Sequence, residues 1–428
     1  MSGIRPRVFY GWWVILTCAL GLFLGPIPIM VFSFGVFLKP LIREFHTGRG
    51  AISLALTLAT TILAFCVPLA GRLIDRFGPR KVILPCTLLA GLILFAAHFC
   101  SGKLWQLYLF YLVMGVVGSG IAPVSYCYVV SHWFDRHRGL ALGLMMAGLG
   151  TGAFVMPSAA QYLIARVGWR HTFGIVGAAI LMITVPVLAK FLVEKPESIG
   201  QSADGLPRSA LTSHRPAGNI GMSWSEALRT PTLWLLLCAV VLVSASVQAC
   251  LAHIAAILTD RGAHAQTAAL AASLLGGGLL VGRTGSGYLL DRFFAPRVAA
   301  LIFACAGAGI GLLRIPASPQ LAFVAAFFIG LGLGAEVDIS AYLISRYFGL
   351  RSFGAIYGFI FGGFGLAGGL GAYLMGASFD ATGSYAFMLA FFCAATLISA
   401  AIMMRLGPYR YQPTRADESD AELAPLPA

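Results

Sequence analysis

Gly71-Arg72-Leu73-Ile74-Asp75-Arg76-Phe77-Gly78-Pro79-Arg80 and Gly287-Tyr288-Leu289-Leu290-Asp291-Arg292-Phe293-Phe294-Ala295-Pro296-Arg297 state one phrase twice, each time just after a long apolar run. Asp75 and Asp291 stand 216 residues apart, about half of the 428-residue chain. The spacing reads as two copies of one unit. A second echo agrees: Trp133-Phe134 corresponds to Tyr347-Phe348, and Gly143 to Gly358, at nearly the same offset.

The unit is a membrane unit. With 59% hydrophobic and 11% charged residues, the chain has more apolar surface than a water-soluble globule hides. Its apolar runs are almost all 18 residues or longer, enough for a helix to cross ~30 Å of hydrocarbon at ~1.5 Å per residue. Lipid offers the backbone no hydrogen bonds, so these runs are predicted to be helices. Twelve spans follow, at roughly 11 to 38, 50 to 70, 82 to 101, 105 to 131, 139 to 164, 172 to 192, 232 to 258, 267 to 289, 298 to 313, 320 to 345, 353 to 378 and 385 to 405. The first lacks a small-residue cleavage site and is longer than a signal-peptide core, so it is expected to be retained.

The net charge of +13 does not indicate nucleic acid, because the basic residues sit in short loops rather than in one stripe. They indicate orientation instead. With both termini placed inside, the inner segments hold 20 Lys and Arg and the outer ones 8, and Arg283 lies within a span. Both termini are therefore expected on the cytoplasmic side of a cell's inner (cytoplasmic) membrane. Nine cysteines lie singly with no CxxC pair, which predicts neither a disulfide framework nor a metal site.

The expected organisation is an N-terminal six-helix half at 1–192, a cytoplasmic linker at 193–231, a C-terminal six-helix half at 232–406 and a cytoplasmic tail at 407–428, disordered beyond Tyr411. Ser223-Trp224-Ser225-Glu226 has capping-box spacing, predicting a short interfacial helix before Pro231. Two parallel six-span halves related by an axis along the membrane normal suit alternating access.

The Gly71 to Lys81 segment resembles the loop between spans two and three of the major facilitator superfamily, written G-x-L-x-D-R-x-G-R-R-K, with Pro79 in place of one basic residue. The resemblance implies a twelve-helix, all-α transporter. It also implies a gating latch at the helix ends, formed here by Gly71, Asp75, Arg76, Arg80, Asp291 and Arg292, with ordinary solvated loop charge as the alternative. Trp133-Phe134-Asp135-Arg136-His137-Arg138-Gly139-Leu140-Ala141-Leu142-Gly143, followed by Ala147-Gly148, resembles the fifth-span signature of the monocarboxylate transporter family and its bacterial oxalate/formate antiporter relatives. Tyr10-Gly11-Trp12-Trp13 is similar to that group's first-span signature. Three features depart from that group's pattern, the first being that Tyr10 stands next to Gly11 where the first-span signature normally opens on an acidic residue; the other two concern the animal-type members. No lysine lies within span one, and the position four before Arg283 is Leu279 where they carry an aspartate.

Arg283 lies ~12 Å from the end of span eight marked by Asp291, near the bilayer midplane. An arginine there costs at least ~2.5 to 3.5 kcal/mol, so it must face a cavity or an acidic partner. Its fork suits a carboxylate, and the resemblance implies the same role; a buried ion pair without substrate is the alternative. Glu336 and Asp338 are the only carboxylates within the spans. Two residues apart on a helix is ~200°, so they cannot share a face. One is expected to look towards Arg283 and the other to meet a neighbouring helix or the cytoplasmic half, with Glu336 favoured over Asp338 for proton coupling; structural roles for both are the alternative.

His253 and Gln248 in span seven are candidate substrate contacts, as are Tyr126 in span four and Tyr357 in span eleven. Helix packing and interface anchoring are the alternatives. Gly25-Pro26-Ile27-Pro28 predicts a kink in span one. The glycines of spans five and eleven predict close, slidable packing where the halves meet. No nucleophile-base arrangement or phosphate loop is present, which excludes the common hydrolases and ATP-driven pumps. The expectation is a non-enzymatic, cofactor-free secondary carrier of a small organic acid, a monocarboxylate, with proton symport, acting as a monomer in the lipid bilayer. Carboxylate exchange and a non-transporting sensor are the alternatives.

Overall fold

The computed structural model describes residues 9–99, 102–134, 138–202, 221–315, 319–349 and 351–411. Asp135, Arg136 and His137 of the fifth-span signature, most of the linker, the tail beyond Tyr411, and the side chains of Asp75 and Asp291 lie outside that description. The described chain is helical. Its α-helices are α1 (Gly11–Phe23), α2 (Phe34–Phe45), α3 (Arg49–Phe77), α4 (Pro79–Ala96), α5 (Leu104–Gly120), α6 (Pro123–Trp133), α7 (Arg138–Ala179), α8 (Val185–Phe191), α9 (Trp224–Leu228), α10 (Pro231–Asp260), α11 (Ala265–Arg292), α12 (Ala295–Leu312), α13 (Pro319–Phe348), α14 (Phe353–Thr382) and α15 (Ala386–Met404).

Among the described residues, eleven helical stretches are long and apolar enough to cross a membrane. One of them, Leu140–Phe191, is 52 residues long and makes two passes. Gly168 divides it: at φ 79° and ψ 168° it takes a conformation that L side chains rarely adopt, and the chain reverses there. The fold is thus the twelve-helix, two-half arrangement read from the sequence. Both ends of the described chain lie on one face, here called the terminal face.

Local chemistry explains the joints. Pass one bends through a π-helical turn at Pro28–Phe32, where the Ser33 hydroxyl donates to the Pro28 carbonyl at 2.9 Å. The Ser33 N–H donates to the same carbonyl at 3.1 Å, so the oxygen at the kink is satisfied twice from within the chain, where lipid could not satisfy it. The interfacial helix α9 has its capping box complete, Ser223 N–H donating to Glu226 at 2.8 Å and its hydroxyl accepting from the Glu226 N–H at 3.3 Å. The segment before Tyr411 is tied to the second half, with Ala295 N–H donating to the Tyr409 hydroxyl at 2.7 Å and Tyr411 N–H to the Arg346 carbonyl at 2.9 Å.

Within the second half, α11 and α13 pack backbone to backbone. A Cβ added at Gly278 or Gly282 would run into the carbonyls of Phe327 and Leu331, and one added at Gly330 or Gly334 into those of Leu275 and Leu279. Small residues permit this approach, and dispersion rather than a hydrophobic drive holds it in lipid. The consequence is local: the neighbours of this zipper, Arg283 and Asp338, are brought within bonding distance.

Candidate functional site

The two halves meet most extensively along two seams, α3 against α14 and α7 against α11, with α2 against α10 between them. Both seams close away from the terminal face. The Thr57 hydroxyl donates to the Gly369 carbonyl at 2.7 Å, and the hydroxyls of Ser158 and Ser273 lie 2.9 Å apart. At the far ends of the helices, Asp380 of α14 accepts from the backbone N–H groups of Arg49 and Gly50 at 2.8 and 2.7 Å, an acidic cap on the N-terminus of α3. Asp260 at the end of α10 pairs with Lys39 of α2 at 2.6 Å and Arg49 at 2.5 Å. The Arg49 guanidinium also bonds the Tyr385 hydroxyl and covers the Phe379 ring at 3.7 Å.

Seven residues along a helix is ~700°, nearly the same face two turns on. In that step the seams part. Gly365 meets Ala64, and Gly150 meets Leu280, but Gly358, Gly71, Gly143 and Gly287, each seven residues nearer the terminal face on the same stripes, have open space where a side chain would stand. The halves are therefore joined at the far face and separated by a cleft at the terminal face.

Arg283 opens onto that cleft. Its Nε donates to Asp338 Oδ2 at 3.1 Å, with side chains 20% and 38% exposed, so the pair stays wet although it lies inside the bundle. Cys127 of α6, in the other half, and Tyr357 of α14 both lie within electrostatic reach of the pair. Only one expected carboxylate faces the arginine. Glu336 is fully buried on the opposite side of α13, and neither of its carboxyl oxygens has a hydrogen-bond partner. It shares a face with Gly332, whose missing Cβ would touch Ala306 of α12 and approach Val247 of α10, so it points into the second half.

The structure separates the other candidates. Gln248 lies against Gly368 and lines a cavity of about 90 Å³ between the halves, together with Thr60, Phe361, Phe364 and Ala372. His253 is fully buried beyond that cavity. Its Nε2 lies 3.2 Å from the Ser53 hydroxyl and 3.0 Å from the Ala372 carbonyl, which makes it part of the far-face junction. Tyr126 is buried inside the first half, its hydroxyl against Gly21 and close to Thr87 and Cys18, away from Arg283. Of the five substrate-contact candidates, Arg283 is paired with Asp338, Tyr357 lies within electrostatic reach of that pair, Gln248 lines the cavity between the halves, and His253 and Tyr126 stand apart.

The latch residues lie at the terminal face, where Arg76 and Arg292 are exposed, each over an aromatic ring of its own helix, Phe77 and Tyr288. Arg80 is engaged within the first half. Its backbone N–H donates to Glu194 at 2.9 Å and its guanidinium to the Ala189 carbonyl, tying the start of α4 to the end of α8. Glu194, Asp380, Tyr385 and Cys127 were not singled out by the sequence. Each is an ordinary residue near a helix end or on a helix face, and only the packing brings it beside the groups it meets.

Comparison with known proteins agrees with this architecture. The family model described as Major Facilitator Superfamily matches residues 18–372 and 254–427. Monocarboxylate transporter 13 of Rattus norvegicus is 27% identical over 397 residues, covering 89% of this chain and 85% of the relative. A gallate transporter of Pseudomonas putida is 24% identical over 406 residues, covering 87% and 89%. Among solved structures, a bacterial homolog of the human lysosomal transporter Spinster, in an inward-facing and occupied conformation, superposes with a TM-score of 0.68 at 18% identity, over 94% of this chain and 97% of that one. The chain belongs to the Major Facilitator Superfamily, as a multi-pass membrane transporter and not an enzyme.

Proposed function

We propose that the protein carries a small organic monocarboxylate together with a proton, by alternating access, with Arg283 as the carboxylate receptor and Asp338 as the proton carrier. The observation that carries this reading is the 3.1 Å contact between Arg283 and Asp338, open to the cleft. A substrate carboxylate takes the guanidinium fork in two parallel hydrogen bonds, and to do so it displaces Asp338. An aspartate deprived of its cation in a cavity of low dielectric binds a proton more readily, so substrate and proton travel together. The far-face junction then opens as the terminal face closes.

Two of the relatives are named for carboxylates or for gallate, which supports an acidic cargo. The excess of basic residues on the terminal side supports a cytoplasmic location for both termini, in a bacterial-type inner membrane, and an inward-facing cleft. In this reading residues 1–192 and 232–406 rock as two bodies, 193–231 links them, 407–428 trails from the second, and a monomer suffices. Arg76, Arg80 and Arg292, with Gly71, Asp75 and Asp291, act as the latch when the terminal face closes.

The test is uptake into proteoliposomes with and without internal substrate. Symport gives accumulation driven by an inward proton gradient into empty vesicles. Uptake that requires internal substrate and ignores the gradient establishes exchange of two carboxylates instead, and binding without flux establishes a sensor.

A further inference from the structure

The charged contacts of the far-face junction are divided by sign between the halves. The first half supplies donors: the side chains of Lys39 on α2 and Arg49 on α3, and the backbone N–H groups of Arg49 and Gly50. The second half supplies carboxylates, Asp260 of α10 and Asp380 of α14. Asp260 bridges two cations, with Lys39 Nζ 2.6 Å from Oδ1 and Arg49 Nη1 2.5 Å from Oδ2. Each oxygen takes one cation, the arrangement in which a free monocarboxylate would be held. Adhesion alone does not require the division of sign, because pairs of mixed polarity would hold the halves equally well.

Among the described residues, the groups that neutralise or cover these two cations all belong to the second half. Besides Asp260, Arg49 meets the Tyr385 hydroxyl and the Phe379 ring, which also lie there. Glu44, the carboxylate of α2, is committed to Arg170 of its own half at 2.6 Å. When the halves part at the far face, Lys39 and Arg49 therefore lose their counter-ion, and an anion entering from that side is the group that replaces it. The place is within reach of water even now, with the side chains of Lys39 and Asp260 30% and 25% exposed. In the closed state a free acid does not compete there, because a tethered carboxylate acts at high effective concentration.

We propose that Lys39 and Arg49 form a second carboxylate site, open only in the far-face-open state, which takes the acid arriving from that side in the place that Asp260 now fills. The inference rests on the carboxylate cargo proposed above and adds a receptor at the mouth opposite the Arg283 cleft. Because the site is open in one state only, an acid bound there draws the protein towards that state; a ligand shifts an equilibrium by the difference in its affinity for the two forms. Closure reverses the exchange. Asp260 returns between the cations and displaces the acid, so one carboxylate of the fold both releases the cargo from this site and locks the face behind it.

The experiment has two arms. In the first, purified full-length Asp260→Ala protein is heated with acetate or acetamide at equal ionic strength, beside the unmodified protein. The truncation leaves the two cations without their counter-ion, so acetate is expected to raise the unfolding temperature of the variant by roughly 2 °C more than that of the unmodified protein, and acetamide to give no such excess. Adding Lys39→Gln to the variant is expected to remove the excess. In the second arm, proteoliposomes report uptake of labelled lactate, pyruvate or benzoate from each face. Lys39→Gln is expected to raise the half-saturating concentration at the far face roughly three- to thirtyfold, as for a partly exposed charged hydrogen bond, and to leave that at the terminal face unchanged. Lys39→Arg is expected to restore it. An acetate shift no larger than in the unmodified protein, one that acetamide matches, or equal changes at both faces overturns the proposal, the last because a purely structural lock has no side. Failure of the underlying reading looks different: the unmodified protein then carries none of the three acids from either face, whatever acetate does to Asp260→Ala. Should Asp260→Ala not fold, the second arm, which keeps Asp260, decides.

Discussion

Arg283 on α11 is bonded to Asp338 on α13, 55 positions along the chain, and not to the residue one turn before it, which is Leu279. The acidic partner lies on another helix. The approach of α11 and α13 through Gly278, Gly282, Gly330 and Gly334 makes this possible, because a bulkier seam would hold the two side chains too far apart. The pair is thus built by tertiary packing between two helices and not by neighbouring turns of one.

The receptor role depends on the planar fork and not only on charge. Arg283→Lys keeps the cation and loses one of two parallel hydrogen bonds, each worth ~1.5 to 3 kcal/mol when charged. Carboxylate affinity is expected to fall by roughly ten- to a hundredfold, measured by ligand-induced thermal stabilisation of purified protein. Affinity equal to that of the unmodified protein removes Arg283 from the binding role.

The two carboxylates of α13 are expected to separate in function as they do in space. Asp338→Asn leaves a group that still accepts from Arg283 but cannot exchange a proton. It should retain exchange of internal for external substrate while losing, by tenfold or more, accumulation driven by a pH gradient. Glu336→Gln should retain both, because the buried carboxyl has no partner to lose and no view of the cleft. Gradient-driven uptake that survives in the Asp338 variant and disappears in the Glu336 variant would reverse the assignment.

How much of this was readable in advance follows from what each feature depends on. The duplicated phrase at Asp75 and Asp291 and the long apolar runs gave the twelve-helix plan, because hydrophobic length is a property of sequence alone. The cost of an arginine at midplane depth singled out Arg283 on the same ground. Glu336 is the residue favoured for coupling on sequence, yet Asp338 is the one that meets Arg283, since ~200° of helix separates the two and nothing local says which way the helix faces. Gly332 and Gly334 decide it by the neighbours they admit. The far-face junction of Arg49, Asp260 and Asp380 was not legible at all: each is a charged residue at a helix end, and only the docking of the halves makes them one cluster. For His253 the same docking turns a candidate substrate contact into a part of that junction.

The seam between α7 and α11 offers a direct test of rocking. Ser158 and Ser273 have hydroxyl oxygens 2.9 Å apart across the two halves, an approach that suits cysteine side chains whose Cβ atoms must come within ~3.5 to 4.5 Å to form a disulfide. The double variant Ser158→Cys with Ser273→Cys is expected to lose transport on mild oxidation, to recover it on reduction, and to keep carboxylate binding throughout, since the cleft stays open while the seam is tied. Either single variant should transport in both conditions. Undiminished flux through the oxidised double variant would mean that this seam does not open during the cycle.

The glycines that face open space mark where the opposite conformation must close. Gly143 continues the stripe of Gly150, which touches Leu280, and Gly71 continues that of Ala64, which touches Gly365. In the present state a Cβ at either position meets nothing within 4 Å, so Gly143→Leu and Gly71→Leu should fold with little change in thermal stability and bind carboxylate normally. Once the cleft closes, the same leucine stands between two helices that need to touch, and overpacking of that kind costs ~1 to 3 kcal/mol. That penalty falls only on the far-face-open state, so turnover should drop by roughly five- to a hundredfold with binding intact. Gly150→Leu is the contrast, because a Cβ added there would lie 2.8 Å from Leu280 and the substitution should lower stability in the state observed. If Gly143→Leu and Gly71→Leu transport at the normal rate, the two stripes do not meet at the terminal face, and the halves must close about some other axis.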